Sequence, residues 1–194
     1  MSDPETDPMA DYERLRGDAG TVFSLPLDRK VAVAVAGLAT AASFGPVITA
    51  QSAEVRALEN GPGAALNIVG GVSILLGVVL MFIGGTALVA QRYYVGQAVA
   101  EEERLKWFLR IEDLWMWVLT LGTIITVLCM SLMLPAALSL GSPEAVSDAG
   151  FGIYSEFDPL PFVIGAWLVS AIAGGALTIV GGGWLWVRYS LRRG

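Results

Sequence analysis

Thr120, Thr123, Thr126 and Cys129 step by three along the third apolar stretch of the chain. Hydroxyls at that spacing could coordinate an ion or line a polar path. Steps of three, however, drift by about 60° each around a helix of 3.6 residues per turn, so the four side chains do not form one file. Threonine in an apolar helix commonly bonds back to a carbonyl one turn earlier, and that is its expected role in this stretch. A second candidate is the segment 141–161, which carries Glu144, Asp148, Glu156 and Asp158 and no base. Such carboxylates can hold Ca²⁺ or Mg²⁺. The alternating acids of an EF-hand loop are missing, so a solvated acidic loop is expected. Glu112 and Asp113 stand at the lip of the third apolar stretch, where they are expected to mark the start of a helix.

Composition removes other chemistry. There is no histidine, which excludes His-ligated haem, His-containing zinc sites and a histidine general base. The single Cys129 allows no intrachain disulfide. Within an apolar stretch it is expected to be a small packing residue, because a thiolate is strongly disfavoured there. Eighteen acids against twelve bases give a net charge of −6, which argues against nucleic acid as a partner. An acid excess with only two lysines is also the balance of a salt-adapted (halophilic) protein. No Asp, Glu, Lys or Arg falls in 31–50, 66–90, 114–140 or 162–187. Acid–base or metal chemistry inside a membrane needs ionisable side chains in such stretches. The expectation is therefore no catalysis, no cofactor and no metal.

Those four charge-free stretches are the elements that must position everything else. A bilayer core of roughly 30 Å is crossed by about 20 helical residues at 1.5 Å each, so each stretch is long enough to span one. The spacing predicts helices over 30–51, 64–91, 114–140 and 162–188, with Pro46 and Pro135 near the ends of the first and third and an Asn60-Gly61-Pro62-Gly63 turn before the second. The first stretch is not read as a signal peptide, since it lies behind an acidic segment rather than a short basic one. Residues 1–28 mix Pro, Gly and acids and are expected to be a mostly disordered tail, with Met9, Tyr12 and Leu15 on one side of a short helical turn. Residues 29–191 form the transmembrane domain. The fold class is an all-α integral membrane protein, a four-helix transmembrane bundle.

Eleven of the twelve bases lie before residue 31, in the segment 92–110 or after residue 187, and only Arg56 lies in the other two loops. The positive-inside rule then places both termini in the cytoplasm of a multi-pass cell-membrane protein. Arg92-Tyr93 and Arg188-Tyr189 both sit where an inward-running helix would leave the bilayer, and with Trp107 and Trp115 they are expected to be membrane-interface anchors. The segment 101–117 is expected to lie on the membrane surface and bend into the third helix. Pro46 and Pro135 are 89 residues apart and the Arg-Tyr pairs 96 apart, an offset compatible with two tandem helical hairpins.

Gly70, Gly77 and Gly84 recur every seven residues, with Ser73 beside the line, and Gly174 and Gly181 share that spacing in the fourth helix. Small residues let helices approach closely in lipid, so these positions are expected to pack helices within the bundle or against another subunit. The resulting expectation is a non-catalytic structural or assembly subunit in the lipid bilayer, partnered by copies of itself or by another membrane protein. The alternative is a subunit of a small channel or transporter.

Overall fold

The computed structural model describes residues 8–19, 22–50, 65–66, 68–97, 102–138 and 164–191, and the acidic segment 141–161 lies outside them. A short, mostly polar helix, α1 (Pro8–Ala19), precedes the spans, with proline at its first position where a missing N–H costs nothing. The first span is broken in two. Its longer part, α2 (Leu27–Ala42), follows Pro26, whose carbonyl accepts the N–H groups of Arg29 and Lys30 at 2.9 and 3.1 Å. Pro46 lacks the N–H that would reach the carbonyl of Ala42. The helix turns at Ser43 and resumes as α3 (Phe44–Thr49).

The second and third spans are continuous helices, α4 (Ile68–Gln97) and α5 (Glu102–Leu138), and the fourth is α6 (Ala166–Ser190). Two residues ahead of α4, β1 (Ala65–Leu66), pair antiparallel with two ahead of α6, β2 (Ile164–Gly165), in the register Ala65↔Gly165 and Leu66↔Ile164. This bridge ties the starts of α4 and α6 together. Four stretches within these helices, Leu27–Thr49, Gly71–Gln97, Lys106–Ser131 and Ala166–Ser190, are long and apolar enough to cross a bilayer, with mean hydropathies of 1.9, 2.5, 1.9 and 1.7. The chain is an all-α, multi-pass membrane protein built on four spanning helices.

Three boundaries differ from the sequence expectation. α4 continues past Gln91 to Gln97, so Arg92 and Tyr93 lie inside it rather than at its exit. α5 begins at Glu102 and takes in the segment expected to lie on the surface and bend. Nothing between 102 and 114 breaks a helix, and Glu, Leu, Lys and Arg all favour one. The third difference is in the N-terminal segment, where residues 8–19 are helical and their Tyr12 is fully buried.

The helices are not arranged with equal neighbours. α2, α4 and α6 pack on one another, and α5 packs chiefly along α4. Gly85 marks the meeting of the first three: a Cβ there would lie 3.1 Å from Val180 Cγ1 on α6 and 3.2 Å from Ala34 Cβ on α2. The core around it includes Leu38, Ile74, Met81 and Ala173, all fully buried. α3 joins α6 through the Gly45 N–H, one of the donors that a helix start leaves without an intrahelical acceptor. It donates to Ser170 Oγ at 2.6 Å.

Candidate functional site

Where α1, α2, α4 and α5 converge, one carboxylate gathers the polar side chains of four helices. Lys30 Nζ on α2 lies 2.5 Å from Glu112 Oε1. Arg16 on α1 bridges both carboxylate oxygens, with its Nη2 2.9 Å from Oε1 and 3.0 Å from Oε2. The Tyr12 hydroxyl donates to Oε2. Gln91 Nε2 on α4 lies 3.4 Å from the same oxygen, and donates to Tyr12 Oη at 2.7 Å and to the Phe108 carbonyl at 2.9 Å. The side chains of Lys30, Glu112 and Arg16 are 0%, 1% and 3% exposed, so this is an interior cluster and not a surface salt bridge.

The charges balance through a fourth member. Two buried cations face one buried carboxylate, and Arg16 Nη1 also pairs with Glu13 Oε2 at 2.5 Å, one helical turn back and open to solvent. Removing one partner of such a buried group leaves an uncompensated charge, at a cost of several kcal/mol. Burial, with the adjacent Glu112 carboxylate, raises the Tyr12 phenol above its ordinary pKa, so the hydroxyl keeps its proton to donate. Burial opposes the charge on Arg16, but Glu112 and Glu13 more than offset it and raise its pKa. The carboxylate is held by an ammonium, a guanidinium, a phenol and an amide, an arrangement that ties α1, α2 and α4 to α5.

Glu112 and Lys30 both lie within segments apolar enough to span. The expectation of a bundle free of ionisable groups is corrected, and so is the reading of Glu112 as a mere helix start. Asp113, its neighbour, is only half-buried. The cluster also accounts for the order of α1, whose apolar surface is small: Tyr12 and Arg16, four residues apart, project from one helix face into the same socket.

A second polar tie lies at the same end. Asp28 Oδ1 accepts from Arg92 Nε at 3.3 Å and from Trp184 Nε1 at 3.2 Å, joining α2, α4 and α6. Arg92 is thus engaged by protein, not free to anchor in headgroups. The Arg188 guanidinium lies over the Trp184 ring at 5.2 Å, and the Tyr93 ring lies 5.6 Å from Trp186. Trp107 is exposed beside Phe108, and Tyr189 is exposed. Trp115 is half-buried and its carbonyl presses on α4.

The glycines divide sharply. A Cβ on Gly77 would run into Thr126 Oγ1 and come within 2.7 Å of the Gly122 carbonyl, and one on Gly84 would meet the Trp115 carbonyl and Leu119 Cβ at 3.1 Å. Gly122, which sequence reasoning did not single out, answers Gly77: its own Cβ would lie 2.7 Å from the Gly77 carbonyl. Gly70 opens the same helix, and Ser73 bonds the Cys129 thiol. By contrast, nothing among the described residues lies within 4 Å of a Cβ on Gly174 or Gly181, so neither packs closely against them. Thr123 bonds back to the Leu119 carbonyl at 2.9 Å as expected, whereas Thr126 Oγ1 is buried without a partner against Gly77. Among the described residues no group of three metal-ligating side chains gathers. Comparison with models of known protein families, with curated proteins and with solved structures found no match to this chain.

Proposed function

We propose that this protein is a non-catalytic membrane subunit that assembles, with copies of itself or with another membrane protein, through the outer face of α6. The observation that carries the reading is a seam on that face. Leu168, Ile172, Gly175, Ile179, Gly182 and Trp186 follow one another at alternating steps of four and three, and all six are exposed. Alternating steps of three and four keep one stripe of a helix facing a partner helix. The two glycines at its middle have open space where a Cβ would stand, as a close crossing of two helices in lipid requires. The glycines of α4 are consumed inside the chain, so the seam on α6 is the remaining one of this kind among the described residues.

The cytoplasmic placement of both termini belongs to the same proposal and rests on the distribution of bases. The alternative, a channel or transporter subunit, is supported less. Between the Glu112 cluster and Thr126 the α4–α5 interface holds Leu88, Met116 and Leu119, buried to 3% exposure or less, so a path would have to form between several copies.

Gly182→Leu tests the reading, since the position is open in the single chain. In mild detergent and in cross-linked membranes, the wild type should run as a larger assembly and the variant as a smaller one with unchanged unfolding. A wild type that is monomeric and partnerless in native membranes, or a variant of unchanged size, overturns it.

A further inference from the structure

The buried basic side chains Arg16 and Lys30 are matched to Glu112, and the half-buried Arg92 to Asp28. Arg188 is set apart by its exposed place on an aromatic ring. It is exposed, no carboxylate among the described residues pairs with it, and its guanidinium is set over the Trp184 ring at 5.2 Å. Trp184 is itself oriented by its bond to Asp28. Next to this cation, Leu185, Trp186, Arg188 and Tyr189 line an open depression of about 540 Å³ in the last turns of α6. Leu185 and Trp186 are 64% and 59% exposed, and Trp186 is braced from behind by Tyr93.

We infer that this depression is a binding site for an anionic phospholipid. Its parts match that molecule in order along the membrane normal. The guanidinium offers a planar donor pair to a phosphate, a geometry that a guanidinium meets in two parallel hydrogen bonds. Trp186 and Tyr189 occupy the headgroup level where amphipathic rings are favoured. Leu185 and the Trp186 ring present apolar surface to the acyl chains. A stacked guanidinium is already immobilised, so binding costs little side-chain entropy. A zwitterionic lipid brings its own ammonium to the phosphate, whereas an anionic lipid leaves a net charge for Arg188 to neutralise. Trp186 also ends the α6 seam proposed above, so the site borders that seam three to seven residues past Gly182, and the two readings fail separately: Gly182→Leu reads assembly size, whereas Arg188→Gln, off the seam, reads lipid preference.

The test uses the full chain in phosphatidylcholine bilayers containing a minor fraction of brominated phosphatidylglycerol or, in parallel, brominated phosphatidylcholine. Bromine quenches nearby indoles, and Trp186 is one of six tryptophans. The wild type should show preference for the brominated phosphatidylglycerol of about fivefold, the worth of one basic residue at an anionic surface. Arg188→Gln should bring the preference to unity, Arg188→Lys should retain part of it, and Trp186→Phe should remove the quenched component. Equal quenching by the two lipids, or an Arg188→Gln variant that keeps the preference, overturns the inference. Loss of the preference on adding millimolar inorganic phosphate would also overturn it, since that outcome assigns the site to a free anion.

Discussion

Replacing Glu112 by Gln keeps the shape of the side chain and removes its charge. Lys30 and Arg16 would then be two cations, 0% and 3% exposed, with only the solvent-facing Glu13 to balance them. Breaking a buried pair in this way costs about 3–5 kcal/mol, a large share of the roughly 5–15 kcal/mol that holds a domain folded. Lys30→Met is milder, because Arg16 still serves Glu112; its cost should be about 1.5–3 kcal/mol, that of a hydrogen bond to a charged group. The double variant is the decisive one. With both charges gone, Arg16 and Glu13 remain as a balanced pair, so Lys30→Met/Glu112→Gln should be more stable than Glu112→Gln alone. Reversible unfolding in mixed micelles, followed by tryptophan fluorescence, measures all three. A thiol-reactive spin label at Gly17→Cys, an exposed position with open space around it, reports α1 separately, in a background with Cys129→Ala. It should become mobile in Glu112→Gln. Costs that simply add in the double variant, or a Glu112→Gln cost below about 1 kcal/mol, would show that the cluster does not hold the helices together.

Three further outcomes are expected. Gly77→Ala should cost about 1–3 kcal/mol, since its Cβ meets backbone that cannot yield without parting α4 from α5, whereas Gly174→Ala, in open space, should gain about 0.5–1 kcal/mol; equal effects in unfolding measurements would refute the division of the glycines. The Tyr12 pKa is raised above the ordinary tyrosine value of about 10, so its contribution is full below that pH and declines as pH rises beyond it. Tyr12→Phe should flatten this alkaline loss in a pH series of α1 mobility, and an unchanged profile would exclude the phenol as its cause. Single cysteines at positions 104 and 144, in the Cys129→Ala background, should give labelling by an impermeant reagent in intact cells at 144 and not at 104, and the reverse pattern would overturn the topology.

The four spans were legible because hydropathy is a sum over neighbours in sequence, and Val, Leu, Ile and Ala accumulate in the same windows that form the helices. The break at Ser43 was not, since one helix was expected over 30–51 with Pro46 near its end, whereas the missing N–H of Pro46 ends α2 at Ala42. The cluster around Glu112 was not, because its members are up to 100 residues apart and each alone resembles an ordinary polar residue at a helix end. One signal was present. Tyr12 and Arg16 are four apart in a segment otherwise poor in apolar residues, and Lys30, Gln91 and Glu112 each stand at the edge of a different apolar stretch, so a shared depth in the bilayer brings all three to one level.

The glycines show the same limit from the other side. Gly77 and Gly84 on one helix, and Gly174 and Gly181 on another, have the same seven-residue spacing. Periodicity fixes which side of a helix a stripe is on, but not what stands opposite. Opposite Gly77 is Gly122, so two backbones meet; opposite Gly174 and Gly181, among the described residues, there is open space. In water such a gap would carry little meaning. In lipid, where helix contacts depend on close approach of backbones, an open glycine seam beside one already filled is the feature that points beyond the single chain, and the size of the Gly182→Leu protein in native membranes decides whether a second helix lies there.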